Sequence, residues 1–216
     1  MRSSRNQPKG EGWAADDPTA RYGTDVALVV VDVQNDFADP AGSLSVRGGA
    51  EVVTVVNAEI DLALAAGAAV AYTQDWHPMH TPHFAQDGGI WPVHCVADTW
   101  GAALYPDLLV RGPVVRKGTH GEDGYSGFSM RNPAGGHPVA TELDATLADG
   151  GARRLVIAGL ATDYCVKATA LDAVRLGYET AVLLGGVRAV NLRAGDGRSA
   201  IDEMAKAGVR LIGDRR

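Results

Sequence analysis

The chain has 216 residues and a net charge of −6. That length suits one domain with a real core, and the charge argues against nucleic acid or an anionic membrane as its main partner. With 46% hydrophobic and 21% charged residues, the chain is globular rather than disordered, and no run approaches the roughly 18 apolar residues that span a bilayer.

Residues 1–22 are rich in Gly, Pro and charge and read as a loose arm, with one domain over 23–216. In a homo-oligomer such an arm could pack on a neighbour. The first twenty residues lack the apolar core of a signal peptide. Cys95 and Cys165 cannot build a disulfide framework and point to a reducing compartment or a catalytic thiol. A cytoplasmic protein is therefore expected.

Asp25 to Val31 is an apolar run fit for a strand buried on both faces. Asp32 follows it directly, and a carboxylate there is costly to bury unless paired or used. Asp36 reads as turn or cap chemistry. The apolar spacing of Val52, Val53, Val56, Ile60, Leu62 and Leu64 predicts a helix over 50–66, stopped by Gly67. A second strand over 68–73 completes a βαβ unit and implies parallel pairing.

Asp75 and His77 come next, two residues apart, so in extended chain they point the same way. His83 and His94 follow, and four of the six histidines lie between 77 and 94. Imidazole plus carboxylate is a ligand set for Zn or Fe(II); His80 is not needed for it. Phe37 and Trp91 lie near this polar cluster in sequence and could wall a flat ring.

A third strand over 113–116 ends at Lys117. The glycine-containing loop over 119–128 lacks the order of a phosphate-binding loop. A helix is predicted over 137–148, from Val139, Leu143 and Leu147, and a fourth strand over 154–158. After Gly159-Leu-Ala-Thr-Asp-Tyr-Cys165 a helix runs over 168–176, which puts Cys165 at a helix start, where unpaired N–H groups favour a thiolate. A fifth strand over 179–184 precedes a turn at Gly185-Gly186. A helix over 197–207 and a sixth strand over 209–212 close the chain. The expected fold is α/β: a three-layer α/β/α domain on a six-stranded, mostly parallel, doubly wound sheet.

In such sheets sites form beyond the carboxyl ends of the strands. Asp32, Asp75, His77, Lys117 and Cys165 all follow strands, so all fall on one rim. The chemistry they permit is attack by Cys165 on a carbonyl carbon. Asp32 would take the thiol proton and pass it to a leaving amine, and Lys117 would favour the thiolate. The backbone N–H groups of Ala161 and Cys165 could form an oxyanion hole, worth about 3 kcal/mol per donor. A metal could grip substrate or water.

Six segments in register resemble the nicotinamidase branch of the isochorismatase-like cysteine hydrolases. They are Val31-Asp-Val-Gln-Asn-Asp-Phe37, Gln74-Asp-Trp-His-Pro78, Trp91-Pro-Val-His-Cys95, Arg116-Lys-Gly118, Tyr125-Ser-Gly-Phe128 and Gly159 to Thr169. The likeness spans about 25–212. It implies hydrolysis of nicotinamide, and of its isostere pyrazinamide, to the acid and ammonia, in the service of NAD salvage. It implies Cys165 as nucleophile, Asp32 as base and acid, and Lys117 as their cationic partner. It implies one divalent metal per chain (Zn, Fe or Mn) on Asp75, His77 and His94. His83 matches a subgroup with an added histidine ligand six residues after the first. Phe37 and Trp91 fall where the ring is sandwiched, and the peptide before Ala161 is expected to be cis. Two alternatives stay open: a related amidase acting on a maleamate, carbamoyl or ureido compound, and a binding module without catalysis.

Overall fold

The computed structural model describes residues 13–213. Strand β1 (Val26–Val31) is followed by a short helix α1 (Asn35–Ala38) and by α2 (Val52–Ala65). Then come β2 (Ala69–Asp75), β3 (Val114–Lys117), β4 (Ser129–Arg131), β5 (Pro138–Ala140) and α3 (Leu143–Asp149). The last part holds β6 (Arg154–Leu160), α4 (Lys167–Arg175), β7 (Glu179–Arg188), α5 (Asp196–Lys206) and β8 (Arg210–Ile212).

Six strands form one sheet in the order β3-β2-β1-β6-β7-β8, with every pair parallel. The strand order reverses between β1 and β6, which makes their carboxyl ends the switch point where α/β sheets open a crevice. Strand β1 shows why the domain has three layers. Its side chains alternate, with Val26, Leu28 and Val30 in one core beside Val52, Val56 and Ile60 of α2. Ala27, Val29 and Val31 enter the other core with Leu143 and Leu147 of α3, Ala170 and Ala173 of α4 and Met204 of α5. Each fully buried Val or Leu contributes roughly 1.5–3 kcal/mol, so a strand buried on both faces anchors both layers.

Three expectations need correction. Part of the arm is docked: Trp13, Ala15, Arg21 and Tyr22 are buried, while residues 1–12 lie outside the described residues. The Trp13 indole N–H donates to the Arg21 carbonyl at 2.8 Å, the Arg21 guanidinium pairs with buried Glu59 of α2, and the Tyr22 hydroxyl donates to the same carboxylate at 2.7 Å. The helix predicted from 137 starts at Leu143, because Pro138–Ala140 pairs antiparallel with Ser129–Arg131. Strand β7 does not end before Gly185 but continues to Arg188, with a shift of register against β6 between Ile157 and Gly159. The chain between β6 and α4 is a wide turn over Thr162–Val166, in which the Val166 N–H reaches the Ala161 carbonyl at 3.1 Å.

The Arg21–Glu59 pair carries a stability prediction. Glu59→Gln keeps the shape but removes the charge facing a buried guanidinium. A loss of about 1–3 kcal/mol is expected by chemical denaturation, with the sheet unchanged by circular dichroism.

Candidate active site

Asp32 sits just past β1 in a left-handed backbone conformation, φ 47°, an uncommon state for a residue with a side chain. It is fully buried. The Thr73 hydroxyl donates to its Oδ1 at 2.6 Å, and Lys117 Nζ lies 2.9 Å from its Oδ2. Lys117, the last residue of β3, is also buried and forms a second ion pair with Asp75 at the end of β2. Asp75 and Lys117 are register partners across the two strands, so sheet pairing alone sets them side by side. The Cys165 thiol lies 3.8 Å from Lys117 Nζ, and its sulfur is within 4.8 Å of an Asp32 carboxylate oxygen. The close approach of β1 and β6 depends on Gly159, φ 119°, where an added Cβ would collide with the Val31 backbone.

The electrostatics follow from burial around one cation. Burial pushes the Asp32 carboxyl above its usual range, with Lys117 opposing and Asp75 adding to the rise. Burial also works upward on Asp75, but Lys117 and then His77 overcome it and hold that group well below its usual value. Burial disfavours the Lys117 ammonium, yet Asp32 and Asp75 hold its pKa well above normal. The Cys165 thiol is driven well above its usual value by burial, against the pull of Lys117. Burial thus works on this thiol against the lowering expected from a helix start, and outweighs it.

On the other side of Asp75 stand His77, His83 and His94, all buried, with ligand nitrogens within 4.8 Å of one another. The backbone closes this loop: His77 N–H donates to the Cys95 carbonyl at 2.9 Å, and Ala97 N–H donates to the His77 carbonyl at 2.8 Å. Asp36 is the turn residue expected, and its carboxylate accepts from Cys95 N–H at 2.7 Å and Ser43 N–H at 3.0 Å. His94 Nδ1 is engaged by the Pro92 carbonyl at 2.7 Å and His83 Nδ1 by Asp123 at 2.7 Å, leaving Nε2 as the nitrogen each can offer. Neither ring nitrogen of His77 has a hydrogen-bond partner among the described residues, although its Nε2 lies 3.7 Å from Asp75 Oδ1. Burial lowers the pKa of His83 and brings that of His94 down to about 4, and neutral imidazole is the form that binds a metal. Two imidazoles kept neutral by burial, a third, His77, with orphaned buried nitrogens, and a carboxylate held ionised fit a divalent ion. Asp75 belongs to both halves of the site, since it also groups with Asp32 and Cys165.

A pocket of about 340 Å³, counting the space at its mouth, joins the two halves. Cys165, Ala161, Asp75, His83 and His94 line its polar side, and Phe37 and Trp91 are among its walls. The Leu160–Ala161 peptide is cis. All ten site residues picked from the sequence thus meet in one place. Four wall residues were missed: Leu44, Tyr125, Tyr164 and Val190. Tyr164 could have been found, because it adjoins Cys165. Gln34 was missed too: its side chain accepts from Asp75 N–H at 2.8 Å and donates to the Asp75 carbonyl at 2.7 Å, clamping that residue's backbone. An uncharged amide two residues after Asp32 was the available signal.

Gly118, φ 78°, lies against the His77 imidazole, where an added Cβ would stand 2.5 Å from Nδ1. Gly118→Ala should displace that ring and weaken metal retention by about tenfold or more, read by chelator competition.

A buried thiol, carboxylate and ammonium gathered beyond the carboxyl ends of a parallel sheet are groups that can support cysteine hydrolase chemistry. Residues 26–214 match the isochorismatase domain model, and the chain belongs to the isochorismatase family. It is 39% identical over 204 residues to a nicotinamidase of Escherichia coli strain K12, covering 86% of this chain and 93% of that one. A zinc complex of the pyrazinamidase of Pyrococcus horikoshii superposes with a TM-score of 0.77 at 37% identity, covering 88% of this chain and 99% of that one. PnC1 from L. infantum in complex with nicotinate gives a TM-score of 0.78 at 35% identity, covering 88% and 92%.

Proposed function

We propose that the protein is a metal-dependent cysteine amidohydrolase that converts nicotinamide to nicotinic acid and ammonia, and that also accepts pyrazinamide. The observation that carries this reading is that one small aromatic-walled pocket is lined by Cys165, which neighbours Asp32 and Lys117, and by His83 and His94 of the three-histidine cluster, with Asp75 between them. Solved relatives described as a zinc complex and a nicotinate complex support it. Asp75, His77, His83 and His94 would hold one divalent ion, Zn, Fe or Mn, since a nitrogen and oxygen donor set suits all three. When bound, such an ion supplies a Lewis acid that grips a lone pair of the substrate ring or orients water.

Asp32 takes the thiol proton as the Cys165 sulfur attacks the carboxamide carbon, so charge develops only when substrate is present. The N–H groups of Ala161 and Cys165 receive the oxyanion. Lys117 keeps the neighbouring carboxylates neutralised and holds their orientation. Asp32 then returns the proton to the departing ammonia, leaving a thioester that water cleaves with Asp32 again as base. Phe37 and Trp91 flank the ring. The acid would feed NAD salvage.

The test is ammonia release from nicotinamide by purified, zinc-loaded protein, with Cys165→Ala as control. Turnover that vanishes in the variant is expected. A flat trace with nicotinamide, together with turnover of a maleamate or ureido compound, would overturn the substrate assignment.

A further inference from the structure

His83 differs from the other members of the histidine cluster in what supports it. His77 follows β2 directly, and His94 adjoins a backbone segment paired to His77. His83 sits in a loop, and its firmest polar partner comes from 40 residues away: Asp123 Oδ1, at 2.7 Å from His83 Nδ1. Asp123 is itself held in place. Its N–H donates to the Arg131 carbonyl at 3.0 Å, its carbonyl accepts from Arg131 N–H at 2.6 Å, and its second carboxylate oxygen pairs with the Arg131 guanidinium. Arg131 ends β4, so the β4–β5 hairpin fixes the carboxylate.

We propose that Asp123 is a positioning residue for the metal centre, holding His83 in the tautomer that presents Nε2 to a divalent ion. The inference rests on the reading of His83 as a ligand. An ionised carboxylate can only accept, so Nδ1 must carry the proton and Nε2 the lone pair. Hydrogen bonding of this kind fixes ring orientation and raises ligand basicity in metal-binding histidines. The Pro92 carbonyl sets the same tautomer in His94, but only Asp123 brings a charge. The hairpin, which contributes nothing to the main sheet, thereby acquires a task at the site.

The probe is Zn²⁺ alone, with affinity measured by chelator competition on the full chain. Asp123→Ala is expected to weaken binding roughly 10–100-fold, and Asp123→Asn, whose amide oxygen still accepts from Nδ1–H, to recover most of that loss. In a His83→Ala background Asp123→Ala should change nothing further. Equal losses in both backgrounds, or an Asn variant as weak as Ala, would mean that Asp123 acts through the hairpin's structure and would overturn the inference. Wild-type protein that binds Zn²⁺ with an affinity unmoved by Asp123→Ala would overturn it while leaving the metal centre intact. Wild-type protein that binds no Zn²⁺ would remove both.

Discussion

Replacing Asp32 by Asn is expected to lower kcat on nicotinamide by roughly 10²–10⁴-fold while the domain stays folded. The reasoning starts from burial. Desolvation works against the Cys165 thiolate, so the proposed attack would require a base within reach, and Asp32 is the proposed one, its own pKa raised in the same environment. A base whose affinity for protons is lifted takes a proton from a neighbouring acid more readily than an exposed Asp would. An amide has no such capacity, yet it keeps the size of the side chain and can still meet the Thr73 hydroxyl. Steady-state kinetics with circular dichroism provides the check. A variant within a few fold of wild type would show that some other group accepts the proton.

Lys117→Met is expected to damage both stability and turnover. Lys117 forms ion pairs with both Asp32 and Asp75, and all three groups are buried. Methionine matches the length of the chain but leaves two carboxylates facing each other without a counter-charge. Removing one partner from a buried ionic cluster costs about 3–5 kcal/mol, which denaturant titration would resolve. Whatever folds should also lose activity, because Asp32 without the cation is pushed further towards its protonated form and ceases to be a base. Recovery of stability in the double variant Lys117→Met with Asp75→Asn would confirm that excess negative charge, rather than lost packing, is the cause.

The central strands of the sheet were legible because they are long enough to show their character. Val26 to Val31 is apolar without interruption, and only a strand covered on both faces has that pattern. The hairpin of β4 and β5 was not legible, since three residues each, mostly part-exposed, leave no alternation to read. Val139 instead completed a four-residue spacing with Leu143 and Leu147, so a strand residue passed for the first turn of a helix. Gly185-Gly186 looked like a stop, but the pairing of Gly159 and Leu160 of β6 with Val187 and Arg188 carries β7 onward.

The site was more legible than the fold details because its groups announce themselves locally. Asp32, Asp75 and Lys117 close apolar strands, and Cys165 stands between a strand and a helix. What stayed hidden depends on proximity across long stretches of chain. Asp123 meets His83 over 40 residues and Gln34 meets Asp75 over 41, and neither pairing leaves a periodic trace. The direction in which the thiol's pKa is shifted was hidden for the same reason, because a helix start can be read from residue types whereas desolvation cannot. The docking of Trp13 and Arg21 was obscured by the polar composition around them, which describes an arm well until a buried carboxylate such as Glu59 is found to receive it.

The register pairing of Asp75 with Lys117 has a consequence for how this enzyme can fail. Cation and bridging carboxylate are the terminal residues of two paired strands, and the proposed proton acceptor directly follows the strand beside them. Slippage of the edge strand by a single position would turn the ammonium outward and scatter the whole charge cluster. Catalytic competence is thus tied to the cooperative integrity of the sheet itself, and a partly melted population would contribute protein but no turnover.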